Sequence, residues 1–205
     1  MMNLLIATRN PDKLREIKTL FQLPGLEIIS ALDFPDIPEV IEDGATLEAN
    51  AIKKAVTLAL ATGVWALADD SGLEVHALGG APGVYSARYA GENCTYADNN
   101  VKLLQELQDV EERSAQFRCV MALADPSGRA QFVDGVCSGR IARDVSGDAG
   151  FGYDPLFVPD GYDRTFAELS PDEKNRISHR GRALRLAQEQ WAGPLADATG
   201  RNDHA

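Results

Sequence analysis

At 205 residues with 44% hydrophobic content, the chain can bury one substantial core, or at most two closely joined lobes, and we read it as one domain. Its 31 acidic residues outweigh 20 basic ones, for a formal charge of −11. That balance argues against a broad electrostatic footprint for DNA or RNA, so an anionic ligand needs a local basic pocket. No apolar run reaches the length of a membrane span, and Met1-Met2-Asn3-Leu4 lacks the basic region and cleavage site of a secretion signal.

In chain order, the apolar run from Leu4 to Ala7 predicts a buried first strand. A helix follows with Leu14, Ile17 and Phe21 on one face, capped by Asn10 and with Pro11 in its first position. A second strand is expected from Glu27 to Ser30, then an acidic, proline-bearing loop from Asp33 to Asp43. The next helix spans about Thr46 to Ala61 and ends at Gly63. Two further strands, Val64 to Asp69 and Leu73 to Leu78, are separated by a Ser71-Gly72 turn. Gly79-Gly80-Ala81-Pro82-Gly83 reads as a loop, and Thr95 to Leu107 as a helix.

Ser114 to Ala124 and Ala130 to Ser138 flank the turn Asp125-Pro126-Ser127-Gly128 and predict an antiparallel hairpin, which Ile141 to Val145 extends. A second glycine-dense loop, Gly147 to Pro155, precedes a strand at Leu156-Phe157-Val158. Ser170-Pro171-Asp172-Glu173 has the form of a capping box opening a short helix. The last helix is expected from about Gly181 to Trp191, with a disordered polar tail from Ala196 to Ala205. Cys94, Cys119 and Cys137 are far apart and form no Cys-x-x-Cys pair. They read as reduced thiols of a cytoplasmic protein, with Cys119 in the core.

Four segments carry chemistry. Ala68-Asp69-Asp70-Ser71-Gly72 puts paired carboxylates at a strand end, where they can hold a divalent cation or an attacking water; the same residues also suit an ordinary turn. Thr8 to Lys13 joins a strand to a helix, whose free N–H groups and positive dipole end offer a seat for phosphate, with Lys13 as a mobile cation. It is not a P-loop, whose glycine pattern is absent from the chain. Phe151-Gly152-Tyr153-Asp154-Pro155 combines a stacking aromatic, a glycine that admits a ligand to the backbone and an acid constrained by proline. Lys174 and Ser178-His179-Arg180-Gly181 gather cations, of which Arg180 has the planar fork that suits a phosphate or carbonyl oxygen.

Taken in order, these segments, together with Gly79-Gly80-Ala81-Pro82-Gly83-Val84-Tyr85-Ser86-Ala87-Arg88-Tyr89, resemble the inosine/xanthosine triphosphate pyrophosphatases over roughly residues 3 to 191. The resemblance implies an α/β fold with a long mixed sheet flanked by helices, in two lobes with a central nucleotide cleft. On that reading residues 1–195 are a single two-lobed domain, presented as a homodimer. It also implies hydrolysis of inosine, deoxyinosine and xanthosine triphosphates to the monophosphate and pyrophosphate, with Mg²⁺ as cofactor. Residue by residue, Thr8, Arg9, Asn10, Pro11, Asp12 and Lys13 would bind the triphosphate, and Ser71 would touch substrate. Asp70 would activate water and bind the metal. Phe151, Gly152, Tyr153, Asp154, Lys174, His179 and Arg180 would enclose the base and neighbouring phosphates. The family usually has two adjacent acids ahead of the second helix, whereas Ile41 precedes Glu42-Asp43 here; Glu42 is the candidate second metal ligand, with Glu39 in reserve. Asp69 and Asp70 could divide water-mediated and direct coordination between them. Two rivals stay open: a nucleotide-binding regulator without turnover, and the maf-type pyrophosphatases, against which the Ser-His-Arg-Gly segment argues.

Overall fold

A computed structural model describes residues 2–34, 37 and 39–201. Positions 35, 36 and 38 of the loop expected from Asp33 to Asp43 lie outside the described residues, as do positions 202–205 of the expected tail. The strands are β1 (Met2–Ile6), β2 (Leu26–Ser30), β3 (Trp65–Val75), β4 (Ser114–Ala124), β5 (Ala130–Ile141) and β6 (Phe157–Pro159). The helices are α1 (Pro11–Leu20), α2 (Leu47–Thr62), α3 (Tyr96–Glu106), α4 (Pro171–Ile177) and α5 (His179–Arg201), with short 3₁₀ turns between them. The strands form one six-stranded sheet in the order β2-β1-β3-β4-β5-β6. It is mixed: β1 runs parallel to both β2 and β3, while β5 and β6 are antiparallel. This is the α/β class expected from the sequence.

The chain divides into two compact units. The first takes its members from Met1–Asp70, Val120–Gly135 and Arg182–Ala205; the second is Ser71–Cys119 with Val136–Gly181. In the first unit, Leu4, Leu5 and Ile6 of β1 are fully buried, as are Ile17 and Phe21 at the spacing of one α1 face. Thr46 caps α2 by accepting from the Ala49 N–H, and Gly63 ends it in a left-handed conformation. The second unit has its own core, in which Leu73, Val75, Leu103, Phe117, Leu156, Phe157 and Phe166 are buried together. Phe117 meets Phe157 edge-on at 4.7 Å between ring centroids. α3 and α4 each begin with a capping box, Thr95 with Asp98 and Ser170 with Glu173.

β5 itself ends at Ile141, so residues 142–145 do not extend the hairpin as expected. Two further expectations are corrected. First, Ser71 and Gly72 form no turn: the two strands read from the sequence are one, β3, and the expected end of the second, His76–Leu78, is a 3₁₀ turn. Gly72 is there for proximity. A Cβ on it would lie well inside contact distance of the Gly83 carbonyl oxygen, so the residue lets the 83–88 segment pack against the strand. Ser86 completes that contact, accepting from the Leu73 N–H at 2.9 Å and donating to Gly83 O at 2.6 Å. Gly72→Ala should therefore lower stability by about 3 kcal/mol, since overpacked backbone has no rotamer to yield. Denaturant unfolding checks this, and an unchanged midpoint would mean the 83–88 segment shifts freely.

Second, the helix expected to stop at Trp191 continues through Gly193 and Pro194 to Arg201, so positions 196–201 are helical rather than a disordered tail. Leu195, four residues beyond the buried Trp191, is itself only 1% exposed. That apolar anchor on the same helix face outweighs the breaking tendency of Gly193-Pro194.

Candidate functional site

β1 stops at Ile6, opposite Leu67 of β3, and the Ala7 N–H still reaches Leu67 O at 2.7 Å. β3 runs on, so Asp69 and Asp70 stand past the end of β1 rather than at the end of their own strand. β2 and β3 flank β1 on opposite sides, and such a reversal of strand order places ligand sites at the carboxyl ends of the strands. The Thr8–Lys13 turn leaves β1 at this point. Lys13 Nζ pairs with Asp69 Oδ2 at 3.0 Å, and the Asp69 side chain is fully buried.

Two residues that sequence reasoning missed complete the cluster. Asn50 Nδ2 donates to Asp70 Oδ2 at 3.0 Å, while Asn50 Oδ1 accepts from the Gly44 N–H at 2.7 Å. One turn further along α2, Lys54 Nζ donates to Glu42 Oε1 at 2.9 Å and to the Asp69 carbonyl at 2.5 Å. A signal was present: Asn50 and Lys54 fall among Leu47, Ala51, Ala55 and Leu58 on the buried face of α2, and buried polar side chains at helical spacing call for partners. Burial pushes the Asp70 carboxyl above the usual aspartate range. The Lys54 and Lys13 charges pull it down, the Glu42 charge pushes it up and the Asn50 hydrogen bond lowers it, but burial prevails.

The remaining residues of the first loop are placed differently. Asn10 Oδ1 itself accepts from the Asp12 and Lys13 N–H groups, at 2.9 and 3.2 Å, and Pro11 has none to give. The helix start is thus already capped, contrary to the expectation of free N–H groups, and the cation it offers is Lys13. Thr8 Oγ1 accepts from the Asn10 N–H at 3.2 Å. Arg9 reaches the Ile37 carbonyl at 3.0 Å, Asp12 pairs with Arg15, and Glu39 is exposed.

The second unit gathers the other candidates. Asp154 closes its own loop, accepting from the Phe151 N–H at 2.9 Å while its N–H donates to Phe151 O at 3.2 Å. The same carboxylate oxygen pairs with Lys174 Nζ at 2.6 Å, both side chains being almost wholly buried. The Lys174 ammonium stands 4.9 Å from the Phe151 ring centroid and the Arg180 guanidinium 5.6 Å from it. Arg180, 2% exposed, donates to Ser71 Oγ at 3.2 Å. Tyr153 sends its hydroxyl to Ser86 O at 2.9 Å, and burial raises its phenol so that it remains protonated. His179 is buried with its ring stacked on Phe117, 4.6 Å between centroids. An aromatic face ringed by two cations suits a flat, electron-rich heterocycle, and the lysine and carboxylate cluster of the first unit suits a phosphate chain with a cation and a water.

The sequence matches the Ham1 family over residues 4–190. It is 54% identical over 181 residues to a dITP/XTP pyrophosphatase of Desulfotalea psychrophila, covering 88% of this chain and 81% of that protein. It is 52% identical over 197 residues to a dITP/XTP pyrophosphatase of Geobacter sulfurreducens, covering 94% and 99%. Among solved structures, a HAM1 protein from Coxiella burnetii superposes with a TM-score of 0.85 at 43% identity, covering 96% of this chain and all of that one.

Proposed function

The chain belongs to the Ham1 family, and from that premise we propose that it hydrolyses non-standard purine nucleoside triphosphates, ITP, dITP and XTP, to the monophosphate and pyrophosphate. The observation that carries the reading is the cluster past the end of β1, in which Lys13, Lys54 and Asn50 hold Asp69 and Asp70 in place beside Glu42. Such hydrolysis needs cations for the phosphates and a carboxylate that takes a proton from water.

In this reading Lys13 and Lys54 turn from their carboxylate partners toward the phosphate oxygens. Asp70, whose affinity for a proton is raised by burial, accepts the proton of the attacking water. The water oxygen bonds to the α phosphorus as the bond to the bridging oxygen breaks, and that oxygen keeps the electron pair and departs with pyrophosphate. Asp70 and Glu42 are hard oxygen donors, and the charges of Glu42 and of its partner Lys54 are both felt at Asp70. A set of one or two carboxylates plus substrate phosphates fits Mg²⁺, which when bound neutralises charge on the departing pyrophosphate. In the second unit Phe151 stacks on the base, Lys174 and Arg180 face it, and Arg180 donates toward the 6-oxo group that inosine and xanthosine share and adenine lacks. The homodimer expected from the resemblance belongs to the same proposal.

The test is a panel of ITP, dITP, XTP, ATP and GTP in magnesium buffer with the products separated. The first three should release pyrophosphate at least about tenfold faster than ATP, as expected when a buried donor is left unpaired by the wrong base. Orthophosphate as the product, or equal rates on all five, would refute the proposal.

A further inference from the structure

α3 contains no residue that the chemistry above uses, yet one of its faces grips the Phe151–Asp154 loop. Tyr96 and Asn100 are four residues apart and so share that face. The Tyr96 ring meets the Phe151 ring at 6.1 Å between centroids, inclined by 41°. Asn100 Nδ2 donates to the Gly152 carbonyl at 3.1 Å. Asn100 is 7% exposed, and its Oδ1 is buried with no hydrogen-bond partner among the described residues. Fold stability does not favour such a residue. An open buried acceptor is destabilising, and leucine, larger but with the same number and branching of side-chain heavy atoms, would bring no polar atom to bury. What asparagine supplies and leucine cannot is the bond to Gly152.

That bond has a geometric consequence. Gly152 sits at a φ of +64°, a region glycine enters freely and leaves freely. The only cis peptide among the described residues is Ala81–Pro82, so the Gly152–Tyr153 peptide is trans and planar. Drawing its carbonyl toward α3 therefore turns the Tyr153 N–H the opposite way. The same anchor fixes the exit of the loop whose first residue, Phe151, stands under Lys174 and Arg180.

We propose that Asn100 is a positioning residue for the base-binding loop, acting through the Gly152 carbonyl, with Tyr96 bracing Phe151 from the same helix face. The inference rests on the reading of that loop as the seat of the base. It predicts a selective defect, because the phosphate-binding lysines are untouched. Asn100→Leu should raise KM for ITP about tenfold while kcat stays within about threefold, the mark of a lost binding contact. Its Tm should stay close to wild type, the removal of the open acceptor offsetting the lost Gly152 bond and the bulkier side chain. Inhibition by inorganic tripolyphosphate, which has no base, should match wild type. Tyr96→Ala, at a half-exposed position, should shift KM in the same direction.

An unchanged KM in folded Asn100→Leu, a fall in tripolyphosphate affinity parallel to that for ITP, or failure of the variant to fold would each mark Asn100 as structural and overturn the proposal. Wild-type protein that does not turn over ITP would instead sink the functional reading. Calorimetric affinity for inosine monophosphate, wild type against variant, would then carry the same comparison for Asn100.

Discussion

Asp70→Asn should lower turnover of ITP by about 10³-fold, the scale of a lost general base, while leaving nucleotide affinity close to wild type. The substitution keeps the shape of the side chain, and its amide oxygen can still accept from Asn50 Nδ2, which lies 3.0 Å from Asp70 Oδ2. Lys13 and Lys54 remain to meet the phosphates. A protein that only binds nucleotide has no need of the carboxylate, so the variant separates the enzyme from the silent regulator left open by the sequence. Turnover within about tenfold of wild type would remove Asp70 from the role of base.

The same variant should be more stable than wild type at neutral pH in the presence of a chelator. Burial raises the Asp70 carboxyl above its ordinary value, so between that value and the folded one the native state holds a proton that the unfolded state has released. Stability falls with rising pH wherever the native state binds more protons, so the ionised carboxylate is a burden above that window and none below it. Asparagine carries no such charge. Denaturant unfolding of both proteins should show the variant ahead at pH 7 and the gap closing as pH drops through the aspartate range. A gap that widens on acidification would mean that Lys13 and Lys54 outweigh burial.

How much of this was legible depends on whether a residue's reason lies nearby in the chain. Asn10-Pro11, Thr46, Thr95 and Ser170 announced helix starts, because a cap acts over three residues and leaves its pattern in the sequence. Gly72 misled for the complementary reason: its neighbour in space is Gly83, and a glycine kept for close approach looks locally like a glycine kept for a turn. The polar end of the chain misled because Leu195 and Trp191, both buried on one helix face, carry the helix past it. The acids and the loop residues of the candidate site stand in recognisable motifs. Asn50, Lys54 and Asn100 do not, since each sits on a helix and its meaning lies in partners outside that helix, Asp70 for Asn50, Glu42 and Asp69 for Lys54 and Gly152 for Asn100. A polar residue on an otherwise apolar helix face was the only available sign, and it names no partner.

Lys174→Met should cost the second unit as much stability as truncating a buried aromatic of its core. Lys174 and Asp154 are almost wholly buried and their charged atoms are 2.6 Å apart. Methionine follows the path of the lysine stem but withdraws the charge, leaving the Asp154 carboxylate in a site that water does not reach. Breaking a buried pair from one side costs about 3–5 kcal/mol, which for a chain of this size lowers Tm by about 10 °C. The double variant Lys174→Met/Asp154→Asn should regain most of that stability, because asparagine can still accept from the Phe151 N–H, now 2.9 Å from the Asp154 oxygen, without a charge to bury. Affinity should not return with it. The ammonium 4.9 Å from the Phe151 ring is gone in both variants, so KM for ITP should stay elevated about tenfold in each, the worth of one charged contact to a ligand. Thermal unfolding and steady-state kinetics on the two proteins separate these roles. A double variant as unstable as the single one would show that Asp154 holds its loop through charge. A double variant that recovers both stability and affinity would show that Lys174 serves the fold and does not touch the base.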